Sequence, residues 1–345
     1  MLEKPDLQDE KIAACLKENH RLVVSQIEFL PLGADMNTAV YRVVADDEKP
    51  YFVKLRMRNF EETAVTLPKF LSDAGIPNII APLANQSRQL WSEVESFKLI
   101  LYPFIEGRDG YEIDLSVRHW VEFGTVLKRI HNETIPSQIT ANIQRETFSP
   151  QWRKSVKSYL AGVERDDFPA NDSVAQKVAA LLKSKSREII ALIQQTELLA
   201  KQIKSQASEF IVCHSDIHAG NILIDSSDKL YIVDWDNPIF APRERDLMYI
   251  GGGQFANKRT AKEEEDLFYE GYGYADLDQA ALAYYRYERI IQDIAAYCDQ
   301  LLLTNEGGED REPSYQYLAS NFLPDGTLEL AHQQNKTRFT QEYLR

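Results

Sequence analysis

The chain has 345 residues, 53 of them Asp or Glu against 39 Lys or Arg, for a formal net charge of −14, and 44% are hydrophobic. This length allows two lobes with separate cores, because a single hydrophobic core rarely grows past roughly 250–300 residues. The acidic balance argues against nucleic acid as a partner, since phosphate backbones are held by clustered Lys and Arg; a small cationic substrate suits it better.

In chain order, residues 9–18 carry the pattern of a short amphipathic helix. Residues 27–44 read as two strands joined by a small polar tip that contains Gly33, Asp35 and Asn37, hence a hairpin. Tyr51, Phe52, Val53, Lys54 and Leu55 form an apolar strand interrupted by one lysine. Residues 60–74 are a candidate helix with Glu61 and Glu62 near its start, and 76–84 and 90–105 are expected to complete a small sheet. Ser116 is placed to cap a helix reaching His131, with Trp120, Phe123, Val126, Leu127 and Ile130 as its apolar stripe. Residues 151–163 and 174–203 read as packing helices, separated by the polar run 164–173. Further on, Tyr284, Tyr287, Ile291, Ile294, Cys298 and Leu301 recur at helical spacing, and the other side of that helix carries Glu288, Arg289 and Asp293.

The chemistry concentrates in 212–236, VCHSDIHAGNILIDSSDKLYIVDWD. It reads as strand, loop, strand, a tight turn at Ser226, Ser227 and Asp228, and a returning strand over 230–234. Asn221 follows Asp216 by five residues, and Asp234 lies thirteen beyond. Period-two alternation puts Asp234 and Asp236 on one face of the last strand and Trp235 on the other. Phosphoryl transfer requires a carboxylate to take a hydroxyl proton and separate oxygen ligands for a hard cation. Asp216 is therefore the expected base, and Asn221, Asp234 and Asp236 are the expected Mg2+ ligands. An isolated Asp in a loop is usually a turn former; the combination carries the reading. His214 is expected to hold the loop by hydrogen bonds, whereas His218 needs no role beyond an exposed position. The tip with Gly33, Asp35 and Asn37 would then cover nucleotide phosphates, and Lys54 would grip them, with Glu62 as its candidate helix partner across a short interval.

This central segment resembles the catalytic loop of the aminoglycoside phosphotransferase and choline kinase superfamily, in which His-x-Asp precedes the Asn. CHSDIHAGN, IVDWDNP, APRERDLMYIGGG and YYRYERIIQDIAAY are more narrowly similar to the spectinomycin phosphotransferases, across most of the chain. The resemblance implies an α+β, protein-kinase-like two-lobe fold. A small N-terminal antiparallel sheet lobe with a helix (1–105) would bind the nucleotide, and a larger, mainly helical C-terminal lobe (106–345) would carry catalysis. Matching Gly107 to the family's hinge glycine puts the hinge at 102–107, with the Pro103 carbonyl and the Ile105 N–H on adenine. It also implies that Asp246 braces the catalytic loop, that ATP and Mg2+ are the cofactors, and that the acceptor is an aminocyclitol antibiotic, spectinomycin before others, so that the reaction confers resistance. Asp236, Glu288 and Asp293 are the candidate carboxylates for its amines. The glycine-poor tip departs from the protein-kinase pattern, offering Gly33 where protein kinases have three glycines.

Cys15, Cys213 and Cys298 are too far apart for a disulfide framework or a zinc spacing, so a reducing cytosol is expected. The N-terminus lacks a signal-peptide apolar run, no stretch approaches the roughly 20 apolar residues of a membrane span, and no obligatory protein partner is evident. Three rival activities differ in testable ways. A kinase of choline, homoserine or methylthioribose would share the nucleotide machinery and differ in its acceptor. A metallohydrolase on His214, Asp216 and His218 would need further paired histidines, which the sequence lacks. A non-catalytic nucleotide-binding protein would have no need of the Asp216, Asn221 and Asp234 set.

Overall fold

The computed structural model describes residues 4–33, 37–57, 60–168, 172–206, 209–251, 259–324 and 326–342. Its elements run α1 (Asp9–His20), β1 (Val24–Leu30), β2 (Thr38–Ala45), β3 (Pro50–Arg56), α2 (Thr63–Asp73), β4 (Ser92–Val94), β5 (Phe97–Pro103), β6 (Gly107–Asp109), α3 (Val117–His131) and α4 (Ser137–Thr140). They continue with β7 (Gln144–Arg145), α5 (Gln151–Glu164), α6 (Ser173–Lys204), β8 (Ile211–Cys213), β9 (Ile222–Asp225), β10 (Leu230–Ile232) and β11 (Ile239–Ala241). The helices α7 (Glu244–Leu247), α8 (Ala261–Tyr272), α9 (Gln279–Leu303), α10 (Arg311–Ser320) and α11 (Thr327–Glu342) complete the chain. It divides into two compact units, Met1–Gln144 with Asp216–Pro238, and Arg145–Ser215 with Ile239–Arg345.

The first unit is built on a five-stranded antiparallel sheet in the order β1-β2-β3-β5-β4. Alternation sorts its side chains: Tyr41 and Val43 of β2, Val53 and Leu55 of β3 and Leu99 and Leu101 of β5 bury one face, with Ile12 and Leu16 of α1 in the same cluster. Lys54 and Arg56 therefore lie on the opposite face of β3. A second, three-stranded sheet, β10-β9-β6, contains the β9–β10 hairpin. Its close packing needs Gly107, where an added Cβ would come within 2.5 Å of the Ile224 carbonyl oxygen. Residues 102–107 run from the end of β5 to the start of β6. In α3, Ser116 caps the helix by accepting the His119 N–H, and the His119 ring accepts the Ser116 N–H in return.

Three expectations about elements need correction. Residues 76–84 form no strand; they meet the small sheets through the bridge Ile79↔Ile232, the Asn78 Nδ2 donated to the Leu230 carbonyl and the Leu83 N–H donated to the Leu101 carbonyl. Pro77 and Pro82 remove the donors a ladder would need. The returning strand stops at Ile232, not at 234. Helix α2 starts at Thr63, so Glu62 is its N-cap residue and not part of the helix body.

In the second unit α9 is the central helix, packed against α5, α6, α7, α10 and α11. Its buried side chains include Tyr284, Tyr285, Ile291, Ile294 and Cys298. Arg286 donates to the carbonyls of Met248 and Ile250, satisfying backbone groups beyond the end of α7. β8 and β11 pair antiparallel with Cys213 opposite Ile239. All three cysteines are free and buried. Among the described residues no helix is long and apolar enough to cross a membrane.

Candidate active site

On β3 the two cations opposite the core meet two carboxylates from the segment after β10. Lys54 Nζ lies 2.8 Å from Asp234 Oδ1 and 2.7 Å from Asp236 Oδ1. Arg56 Nη1 lies 2.9 Å from Asp236 Oδ2 and also donates to Thr38 Oγ1, its partner across the β2–β3 ladder. Burial alone would lower the Lys54 pKa, but the charges of Asp234 and Asp236 outweigh it and the net movement is upward. Burial pushes the Asp236 carboxyl up, opposed by Lys54 and Arg56 and reinforced by Asp234. The Asp234 side chain keeps 47% of its surface exposed against 17% for Asp236. Asp234 is thus the carboxylate more open to a ligand.

Backbone geometry brings both carboxylates there. Asp234 has φ +63, a left-handed conformation that costs a non-glycine residue of order 1 kcal/mol or more and that recurs at functional sites. Trp235 is buried and its Nε1 donates to the Ile232 carbonyl, which pins the turn. Both aspartates reach Lys54 through this kinked turn, whereas the sequence reading had them share a strand face.

The loop that carries Asp216 is tied to the β9–β10 hairpin through Asn221. Its Nδ2 donates to the Asp216 carbonyl at 2.7 Å, and its own carbonyl accepts the Val233 N–H at 3.0 Å. With the amide nitrogen so engaged, Oδ1 is the group that Asn221 can offer a cation. An amide oxygen and a half-exposed carboxylate are the donor chemistry that suits Mg2+. In the second unit, Asp246 is fully buried and accepts the backbone N–H of His214 at 2.9 Å and of Ser215 at 2.6 Å. Ser215 is itself left-handed, φ +73, so this carboxylate stabilises a strained backbone just ahead of Asp216.

The other candidates are spread more widely. Gly33 has φ +83, and an added Cβ there would meet nothing within 4 Å. Asp35 lies outside the described residues. The Asn37 carbonyl accepts the Met57 N–H at 2.9 Å, and Pro103 ends β5 opposite Tyr51. Ile105 follows in the segment between β5 and β6. Lys54 pairs with Asp234 and Asp236, and among the described residues no ion pair joins it to Glu62.

In the second unit Glu288 accepts from Arg153 at 2.6 Å, and Asp293 accepts from Arg289 at 2.9 Å. Each acidic side chain therefore already has a cation. Burial pushes Glu288 up to about 7 against the pull of Arg153, with Glu146 adding repulsion. The sequence reading missed Arg56 and Arg153. Arg56 was signalled by its position two residues after Lys54 on the same strand face. Arg153, almost wholly buried, had no local signal.

A family model described as the phosphotransferase enzyme family, APH, matches residues 28–289. The chain belongs to the APH phosphotransferase family. Its structure superposes on spectinomycin phosphotransferase APH(9)-Ia in complex with ADP and spectinomycin with a TM-score of 0.87 and 35% identity, covering 95% of this chain and 98% of that one. The AMP-bound complex of the same enzyme gives 0.82 and 34%, covering 94% and 98%. A choline kinase from Streptococcus pneumoniae, 17% identical with a TM-score of 0.56 over 90% of this chain and 97% of its own, shares the fold. An uncharacterized protein of Metamycoplasma hominis is 34% identical over 106 residues, which are 31% of this chain and 19% of that relative's length. The architecture of this APH member is accordingly α+β and protein-kinase-like, with an antiparallel N-terminal sheet and a mostly helical C-terminal part.

Proposed function

We propose that this APH phosphotransferase transfers the γ-phosphoryl group of ATP to a hydroxyl of spectinomycin or a closely similar aminocyclitol. The observation that carries the reading is the convergence of Lys54, Asp234 and Asp236 on one face of β3, with Asn221 bonded both to the Asp216 backbone and to the Val233 N–H that precedes Asp234. The 35% identity with spectinomycin phosphotransferase over nearly the whole chain supports the choice of acceptor. Lys54 releases its carboxylates to hold the α- and β-phosphates, helped by the tip with Gly33, Asp35 and Asn37. The segment 102–107 serves as the hinge, with Pro103 and Ile105 on adenine. Asn221 and Asp234, with Asp236, hold Mg2+, which when bound neutralises phosphate charge.

Asp216 orients the acceptor hydroxyl and takes its proton as the new O–P bond forms and the bond from the γ-phosphorus to the β–γ bridging oxygen breaks, leaving ADP. Asp246 contributes by keeping the loop before Asp216 in place. Glu288 and Asp293 would greet the protonated amines of the acceptor only by exchanging Arg153 and Arg289 for them, so a cationic acceptor competes with an internal arginine. The decisive experiment measures ADP release with spectinomycin, other aminoglycosides and choline in parallel. Asp216→Asn is expected to lower turnover by about 10²–10⁴-fold while nucleotide affinity stays close to unchanged. Preference for choline would move the activity to metabolite kinases, and normal turnover in the variant would remove Asp216 from the reaction.

A further inference from the structure

His218, which the motif does not require, is built into the loop at three points. As the N-cap residue of the 3-10 turn Ala219–Asn221, it takes the Gly220 N–H on Nδ1 at 3.1 Å. Its ring stacks on Tyr111, with centroids 5.7 Å apart and planes 23° apart, and the Tyr111 hydroxyl is 3.3 Å from the same Nδ1. Gly220 makes room for this: a Cβ there would come within 2.9 Å of the Tyr111 ring and 3.0 Å of His218 Cε1.

The cap settles the tautomer. A neutral imidazole that accepts at Nδ1 carries its proton on Nε2. Nε2 lies 3.7 Å from Asp216 Oδ2 and 3.3 Å from Asn221 Nδ2. The Asn221 Nδ2 is an amide nitrogen, which donates, one N–H going to the Asp216 carbonyl, and does not accept, so of these two neighbours only the Asp216 carboxylate can accept the Nε2 proton. A movement of less than 1 Å brings that pair into hydrogen-bond range, and such shortening is common when a reactive complex forms.

We propose that His218 is a positioning residue for Asp216: its Nε2–H engages Oδ2, fixes the carboxylate plane and leaves Oδ1 to take the acceptor proton. This rests on the reading of Asp216 as the base. The proton passes from the acceptor hydroxyl to Asp216, and the His218 proton stays on Nε2 throughout. A lost orienting contact of this kind costs about 10²-fold when the reacting group drifts by about 1 Å. The loss belongs in kcat, with the KM for ATP nearly unchanged.

The test separates the two ends of the ring. Asn at 218 reproduces the Nδ1 cap acceptor and offers nothing at Nε2; Gln reaches the Nε2 position with an amide N–H and gives up the cap. With the acceptor that releases ADP most efficiently, His218→Ala is expected to lower kcat about 10²-fold. His218→Gln should recover most of that kcat, and His218→Asn should recover the thermal midpoint without the kcat. Recovery of kcat by Asn, a Gln variant as slow as Ala, or an Ala variant with unchanged kcat would each overturn the proposal. If Asp216→Asn itself turns over normally, the base reading fails. If Asp216→Asn is inactive and Gln fails to rescue, only the positioning role is lost.

Discussion

Lys54 holds two carboxylates that would otherwise repel each other, and this sets what its removal does. In Lys54→Ala, Asp234 and Asp236 lose their shared cation, and the nucleotide loses a charged donor contributing about 1.5–3 kcal/mol. At about 1.4 kcal/mol per decade, kcat/KM for ATP is expected to fall about 10- to 100-fold, visible in steady-state kinetics. Unchanged kinetics would place the nucleotide elsewhere. At Glu288 the sign of the pH effect follows from an upward shift, from an ordinary 4.5 to about 7. The folded chain keeps a proton that the unfolded chain releases, so this carboxyl's contribution to stability is full below 4.5. It declines as pH rises and is gone above about 7. Glu288→Gln should flatten the stability profile across that window in chemical denaturation; an unaltered slope would refute the shift. At this scale the spacing of Asp216, Asn221 and Asp234 as candidates for phosphoryl transfer was readable in the sequence. The Arg153 partner of Glu288 was not, since the two are 135 residues apart and neither carries a local signature of the other.

Among the elements, the pairing of β6 with β9 depends on the absence of a side chain at Gly107. Gly107→Ala forces a Cβ to 2.5 Å from a backbone oxygen that cannot rotate away. A loss of about 1–3 kcal/mol is expected, read as a lower thermal midpoint, and an unchanged midpoint would show that the strands shift without cost. Periodicity identified α1, α3, α5, α6 and α9 and the β1–β2 hairpin because amphipathic stripes are local properties. It failed over 76–84, where apolar residues suggested a strand but two prolines deny it a ladder. It also failed at 233–236, where a left-handed Asp234 ends the strand early and φ cannot be read from residue type.

For the whole chain, ligand linkage gives the broadest test. ATP with Mg2+ at about 100 times its dissociation constant should stabilise the protein by about 2.7 kcal/mol, raising the thermal midpoint. Chelating the metal should remove most of that gain, because Asn221 and Asp234 would then face the phosphates without the intervening charge. An identical midpoint with and without chelator would dismiss them as ligands.

Composition, helical and strand periodicity, and the order of the candidate site residues were determined by the sequence itself, since each depends on residues a few positions apart. Tertiary structure alone decided that Lys54 meets Asp234 across 180 residues, that Arg56 shares Asp236 and that His218 lies against Asp216. Such pairings are selected by which faces the packed core leaves over and by backbone angles that no local pattern records.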